Sequence, residues 1–348
     1  MKKRIAIFQN TLSFNGSAKS LICFLKNVDY KQYDVDLYVI KDGFYADAIP
    51  KQVRVIKINR KGVLGMFKIR TLLRFNKHHY EKKYDIVVDN GGVNNIATLE
   101  CLSYPYKKRV AWIHTDYYQK YNNEKHFRIM YKKARDKYKY FDQFVCVSEG
   151  VKEGFVKLTG IDESKCVVIP NFIDVDEIFE LAKEPIDFKI NENNYNLVYL
   201  GRLSKQKGLD LLLPIYNEVR KRKKDIHLYI IGSGPQITDL HTSVELLKLT
   251  DNVTFLGSVP NPYPYLDKMD GIILYSRYEG QGTVLYEAKA LGLEVFIPKK
   301  LEKYSDGITG TDNIYGALVE ATKGNKKRDR LTNYNRNVKK QFKDLISK

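Results

Sequence analysis

The chain has only four cysteines, Cys23, Cys101, Cys146 and Cys166, and they are scattered. Their spacing fits no metal site, and each falls in an apolar or strand-like context. They read as buried free thiols of a reducing cytosol, which argues against a zinc or disulfide framework. No apolar run is long enough to span a bilayer. The basic start, Met1-Lys2-Lys3-Arg4, leads into Ile5-Ala6-Ile7-Phe8, but that apolar part stops at Gln9-Asn10. It is too short for a secretory signal and reads as the first strand. The chain is therefore expected to be soluble or to sit on a surface. Gly-Lys-Ser/Thr is absent, so there is no P-loop, and Gly232-Ser233-Gly234-Pro235 lacks the third glycine of a dinucleotide fingerprint. No helix-turn-helix, zinc or RNA-binding signature is present. Negative charge is also in deficit. With 59 basic and 41 acidic residues the net charge is +18, which implies an anionic partner: nucleic acid, an anionic membrane face or phosphorylated small molecules. The missing signatures count against nucleic acid.

What is present suits two domains. A length of 348 residues, 43% hydrophobic content and 26 tyrosines supply ample core material. Short Val/Ile-rich runs recur at residues 5–8, 35–40, 53–58, 85–89, 109–113, 144–147 and 167–169, separated by helical lengths. That pattern predicts a mostly parallel sheet wrapped by helices. Pro170-Asn171 reads as the turn out of this domain, and the polar stretch 184–194 precedes a second strand–helix series beginning near 196. The expected division is 1–172, joined by a C-terminal helix from about 328 to 348, and 173–327.

In the first domain, Ser13-Phe14-Asn15-Gly16-Ser17 is a strand-to-helix turn where a substrate could approach the backbone at Gly16. His114, in Trp112-Ile113-His114-Thr115-Asp116, falls at the carboxyl end of a strand; a structural histidine in a polar loop is the plain alternative. The other five histidines lack site-like neighbours. Two basic segments stand out. Arg70, Arg74 and Lys77 share one helical face. Lys125, Arg128, Lys132, Arg135 and Lys139 oppose an apolar stripe of Phe127, Met130, Tyr131, Ala134, Tyr138 and Phe141. Each segment is either a helix with a solvated basic back or a surface that docks on anionic head groups or a pyrophosphate-linked lipid.

The second series carries the denser signals. A strand delivers Gly201-Arg202-Leu203 into a loop, and Lys207-Gly208 follows at the mouth of a helix. Two cations beside a helix N-terminus make a diphosphate clamp. Further on, Gly271–Tyr275 reads as a strand and Thr283–Leu291 as a helix, joined by Tyr278-Glu279-Gly280-Gln281-Gly282. Unpartnered N–H groups at that helix start suit a phosphate or a sugar hydroxyl. Glu279 and Glu287 bracket the turn with seven residues between them, at the carboxyl edge where open α/β sheets bind ligands. A tight turn with two solvated glutamates is the simpler reading of that stretch alone.

Gly201-Arg202-Leu203, Lys207-Gly208, Gly232-Ser233-Gly234-Pro235 and Glu279-x7-Glu287, in that order, resemble the retaining, nucleotide-sugar-dependent glycosyltransferases of family 4. The resemblance lies mostly in residues 196–298; Gly16, His114 and the Val-Ile-Pro-Asn exit add a weaker match. It implies the GT-B fold, two Rossmann-like domains facing across a cleft, with the C-terminal helix crossing back to the first. It also implies roles. Arg202 and Lys207 would hold the donor diphosphate, Glu287 the ribose hydroxyls and Glu279 the donor sugar. The backbone of Gly280, Gln281, Gly282 and Thr283 would line sugar and phosphates, Gly16 would approach the diphosphate, and His114 would sit near the transferred sugar. Asn15-Gly16-Ser17 departs from the commoner Gly-Gly pair, and Gln281-Gly282-Thr283 stands where many relatives have a bulky residue. Both departures bear on the identity of the sugar.

The expected activity is transfer of a sugar from a nucleoside-diphosphate sugar, UDP-sugar favoured, with retention and without a metal or other cofactor. No Asp-x-Asp motif stands in a suitable loop. The basic, aromatic first domain suggests an oligosaccharide or lipid-linked acceptor at the cytoplasmic face of a bacterial plasma membrane, in capsule, teichoic-acid or other cell-surface polysaccharide assembly. The competing readings are a GT-B-fold sugar-nucleotide epimerase and a non-enzymatic polyanion-binding protein.

Overall fold

The computed structural model describes residues 2–13, 15–58, 81–93 and 95–347. The chain divides into two compact units, Met1–Phe172 with Asn335–Lys348, and Ile173–Tyr334. The first unit is built on strands β1 (Lys3–Thr11), β2 (Tyr33–Lys41), β3 (Arg54–Lys57), β4 (Tyr84–Asp89), β5 (Tyr106–Ile113), β6 (Gln143–Cys146) and β7 (Cys166–Val168), in the order β3-β2-β1-β4-β5-β6-β7. The second has β8 (Tyr195–Leu200), β9 (Ile226–Ile231), β10 (Val253–Gly257), β11 (Gly271–Ile273) and β12 (Glu294–Phe296), in the order β10-β9-β8-β11-β12. Neighbouring strands in both sheets run parallel. Both units are therefore Rossmann-like, as the alternating pattern predicts.

A parallel sheet covered by helices on both faces needs strands apolar on both sides. Ile5–Phe8 and Leu197–Tyr199 meet that need and are buried throughout. Tyrosines fill much of the core, and three in the second unit have the hydroxyl partners that buried phenols favour. Tyr195 donates to Glu294 at 2.8 Å, Tyr216 to the Asn252 carbonyl at 3.0 Å, and Tyr199 to the Arg202 carbonyl at 3.1 Å.

The last helix, Thr332–Ser347, has its residues from Asn335 onward in the first unit. Phe342 packs on Phe24 at a ring separation of 4.2 Å and beside Trp112 at 6.3 Å. The terminal carbonyls of this helix accept from cations, as the negative end of a helix favours: Lys3 Nζ donates to Ile346 O at 2.9 Å and Lys108 Nζ to Leu345 O at 3.0 Å. The stretch just before it is held by the second unit. Arg328 pairs with Asp267 and Arg330 with Asp176, both at 2.9 Å.

The basic stripe of the first unit is not one continuous helix. An α-helix, Lys125–Ala134, tightens into a 3-10 helix, Arg135–Tyr140. Lys137 faces inward, and its ammonium meets Asp89 at 2.8 Å with both side chains 1% exposed. All four cysteines are buried free thiols. Among the described residues no helix is long and apolar enough to cross a membrane.

Candidate active site

In the second sheet, successive connections leave β8 in one direction and β11 in the other, so these adjacent strands form the switch point. The carboxyl ends of such strands are the position where open α/β sheets take ligands. The loop after β8 carries Arg202 and Lys207; the loop after β11 carries Glu279 to Gly282. Residues 72 apart in sequence thus meet. Lys207 Nζ lies 2.6 Å from Glu279 Oε1, with the side chains 19% and 6% exposed. Ser276 Oγ donates to the same carboxylate oxygen at 2.5 Å, which leaves Oε2 for another donor.

The two loops are sewn together beyond that pair. Arg277 N donates to Gln206 O at 2.7 Å and Gln206 Nε2 to Tyr278 O at 3.1 Å. Arg277 makes a bidentate bond to Asp210, 2.8 Å on each arm, and donates to Lys205 O at 2.6 Å. That guanidinium holds the Asp210 carboxyl below its usual range. Gly208 is in the left-handed region, φ 71°, where a Cβ would stand 2.2 Å from Tyr275 O; only glycine allows the loops this approach. The Gly232–Gly234 turn is constrained likewise. A Cβ on Gly232 would lie 2.0 Å from Gly201 O, and one on Gly234 2.2 Å from Leu203 O. These glycines bring the β8 and β9 loops into contact, and packing alone is sufficient to demand them.

Arg202 is exposed, and its guanidinium has no partner among the described residues. Its backbone is held by Tyr199, whose hydroxyl burial and the nearby Glu279 charge push well above the usual phenol range, so it stays a donor. Gly282, φ 67°, begins the helix Thr283–Ala290, and no side chain caps that end. First-turn amides of an uncapped helix carry partial positive charge. Glu287 lies inside this helix and is buried. Gln281 is buried too. Its Nε2 donates to the Tyr334 hydroxyl, its carbonyl accepts from Ser305 Oγ at 3.2 Å, and the Tyr334 ring packs on Tyr286 at 4.7 Å.

In the first unit, His114 ends up beside the β1/β4 switch point. Its Nε2 is 2.6 Å from Asn90 Oδ1, and its ring lies parallel to Trp112 at 6.1 Å. Burial holds the imidazole down to about 4, so it is neutral at pH 7. Gly16 opens the helix Gly16–Lys26 behind an Asn15 cap, with nothing within 4 Å of where its Cβ would be. The fold does not itself require glycine there.

Sequence reasoning missed Ser276, Gln206, the Arg277–Asp210 clamp, Asn90 and Tyr334. Asp210, in the first turn of a helix, carried the only local signal. Lys125, Lys132 and Arg135 are exposed, beside an Ile129 that is 47% exposed. The Arg128 guanidinium donates to the Tyr121 and Asn122 carbonyls, both at 2.9 Å. Arg70, Arg74 and Lys77 lie outside the described residues. Among those described, no group of three His, Cys, Asp or Glu side chains could hold a metal ion.

Two family models cover most of the chain. The one described as Glycosyltransferase Family 4 matches residues 14–177, and the one described as Glycosyl transferases group 1 matches residues 182–337. An uncharacterized glycosyltransferase of Methanocaldococcus jannaschii is 24% identical over 298 residues, 82% of this chain and 73% of its own. The N-acetylgalactosamine-N,N'-diacetylbacillosaminyl-diphospho-undecaprenol 4-alpha-N-acetylgalactosaminyltransferase of Campylobacter jejuni is 31% identical over 183 residues, 51% of this chain; the chain spans 46% of that relative's length. Among solved structures, Anabaena HepE in complex with UDP and glucose aligns over 100% of both chains, with a TM-score of 0.68 at 16% identity. That likeness is one of fold.

Proposed function

The chain being a glycosyltransferase of the GT-B fold, with a Family 4 first half and a group 1 second half, we propose that it moves a sugar from a nucleoside-diphosphate sugar to a saccharide acceptor with retention at the anomeric carbon. The observation that carries this reading is the meeting of Lys207 and Glu279 at the β8/β11 switch point, beside the uncapped helix at Thr283 and the unpartnered Arg202.

The donor diphosphate becomes a leaving group and gains negative charge as the glycosidic carbon–oxygen bond breaks. Lys207 and the first amides of Thr283–Ala290 are held before substrate arrives, so they stabilise that charge with little reorganisation, and the exposed Arg202 is offered to the same diphosphate. The acceptor oxygen bonds the anomeric carbon on the face that the diphosphate leaves, and its proton passes to a phosphate oxygen. No protein nucleophile takes part in this scheme, and no metal is assigned to it. Glu279 spends Oε1 on Lys207 and Ser276, so Oε2 is offered to a sugar hydroxyl. Glu287 is offered to the ribose. Gly16 and His114 are assigned to the same reaction on the resemblance, as diphosphate-approach and sugar-side residues.

A UDP-sugar is favoured as donor, since the HepE structure holds UDP. A diphospho-lipid-linked saccharide is favoured as acceptor, since the Campylobacter relative is named for one. The exposed Lys125, Lys132 and Arg135 suit an anionic membrane face, and the proposed setting is cell-surface polysaccharide assembly at the inner leaflet. A thermal-shift panel of nucleotide sugars tests the donor. At 100 times its Kd the true donor adds about 2.7 kcal/mol to stability, whereas a flat panel contradicts the proposal. Flotation with anionic vesicles tests the surface: binding at low salt that is lost at high salt is expected.

A further inference from the structure

His114 is the last of four polar groups in a row, and the row has a direction. At its far end Gln9 Nε2 donates to the Thr11 carbonyl at 2.8 Å. A backbone carbonyl can only accept, so the amide of Gln9 is oriented, and its Oε1 faces Asn90. Asn90 Nδ2 donates to that Oε1 at 2.7 Å. This orients the second amide in turn, and Asn90 Oδ1 faces His114 Nε2 at 2.6 Å. An amide oxygen also only accepts. The proton must then be on Nε2, and Nδ1 must be a bare lone pair. We infer that Gln9 and Asn90 are positioning residues that fix His114 as its Nε2–H tautomer, so that the ring meets substrate as a hydrogen-bond acceptor through Nδ1.

The relay is rigid enough to keep that assignment. Gln9 is 2% and Asn90 6% exposed, so water does not compete well for their amides. Asn90 N donates to Phe8 O at 2.9 Å, which places the residue against β1. The turn after it is held by the buried pair Asp89 and Lys137. Gly91 N donates to Asp89 Oδ1 at 2.9 Å, and Lys137 Nζ donates to Gly92 O and to Thr98 Oγ1. The ring plane of His114 is set by Trp112, 6.1 Å away and 4° from parallel. Nδ1 has no partner among the described residues. A lone pair held this way recognises a hydroxyl or amide N–H and rejects a phosphate or carbonyl oxygen. What the acceptor atom does in turnover rests on the glycosyltransferase reading; the tautomer does not.

The test uses the full chain labelled with 15N at histidine and long-range proton–nitrogen correlation spectra at pH 7. His114 is assigned by the resonance that disappears in His114→Gln. The wild type is expected to show a protonated Nε2 and an unprotonated Nδ1. An Nδ1–H tautomer, or a fast-exchanging mixture, overturns the inference without any variant. Gln9→Leu is the sharper probe, because Gln9 does not touch His114. It frees Asn90 to turn over, and a second His114 tautomer should appear while the other five histidines keep their shifts. An unchanged His114 in folded Gln9→Leu contradicts the relay. Asn90→Asp, which can only accept, should keep the Nε2–H form where Asn90→Leu loses it. If donor-sugar transfer is found, Asn90→Leu should lower kcat/KM by on the order of tenfold, with Asn90→Asp recovering part of it. The spectra stand or fall separately from that activity.

Discussion

Replacing Lys207 by methionine removes the ammonium and keeps the stem. In the wild type Glu279 is 4% exposed and holds the Lys207 Nζ at 2.6 Å and the Ser276 hydroxyl. The variant leaves a buried carboxylate with one neutral donor. Breaking a buried ion pair on one side costs about 3–5 kcal/mol. Lys207 is 19% exposed, so water reaches the pair and the lower end, about 3 kcal/mol, is expected. For a unit of this size that is a melting shift of roughly 6–12 °C. Adding Glu279→Gln removes the unpaired charge, and the double variant should regain about 2 kcal/mol. Activity should not follow stability. On the proposed role of Lys207, both variants should lose a charged hydrogen bond to the donor diphosphate, a fall in kcat/KM of roughly 10–150-fold. Calorimetry and initial rates on the four proteins of the cycle measure both. A single variant that melts with the wild type, or a double variant no more stable than Lys207→Met, refutes the reasoning about the pair. Full activity in Lys207→Met refutes its role.

Three further outcomes are expected. Gly208→Ala places a Cβ 2.2 Å from Tyr275 O in a left-handed backbone; it should destabilise the second unit by at least about 1–2 kcal/mol in thermal unfolding and weaken donor binding with it. Arg277→Ala removes the bidentate bond to Asp210 and the bond to Lys205 O; the loop carrying Lys207 then loosens, which should raise KM for the donor more than it lowers kcat, with about 1 kcal/mol lost in stability. The His114 imidazole is held at about 4 against an ordinary 6.5, so between those values the unfolded chain binds the proton first. Its contribution, about 3 kcal/mol at most, is complete above pH 6.5 and is lost as the pH falls toward 4; denaturant melts across that window should show the slope, and His114→Gln should remove it.

The strands were legible because buried parallel strands must be apolar on both faces, and runs such as Ile5–Phe8 and Ile272–Leu274 leave little room for another reading. The loops of the candidate site were legible as residue types at strand ends: Arg202 and Lys207 after β8, Glu279 after β11. Their partnership was not. Lys207 reads as a free cation until the sheet order brings β11 beside β8. The same holds for the relay behind His114, in which Gln9, Asn90 and His114 come from the ends of three different strands. Lys137 was hidden for another reason. A period of 3.6 already sets it beside Met130 at the edge of the apolar stripe, but nothing local names the buried carboxylate, Asp89, that pairs with it. Local pattern carries periodicity and end signals, whereas pairings across a sheet belong to topology.

Retaining transfer from a nucleoside-diphosphate sugar bound at the β8/β11 switch point, as proposed above, is read out by proton NMR of the anomeric centre during turnover with the donor that the panel selects, using an α-linked UDP-sugar as the first case. An α-linked product released with UDP, in amounts that fall roughly 10–150-fold in Lys207→Met, is the predicted result. A β-linked product, or donor consumed without transfer to any acceptor, contradicts it.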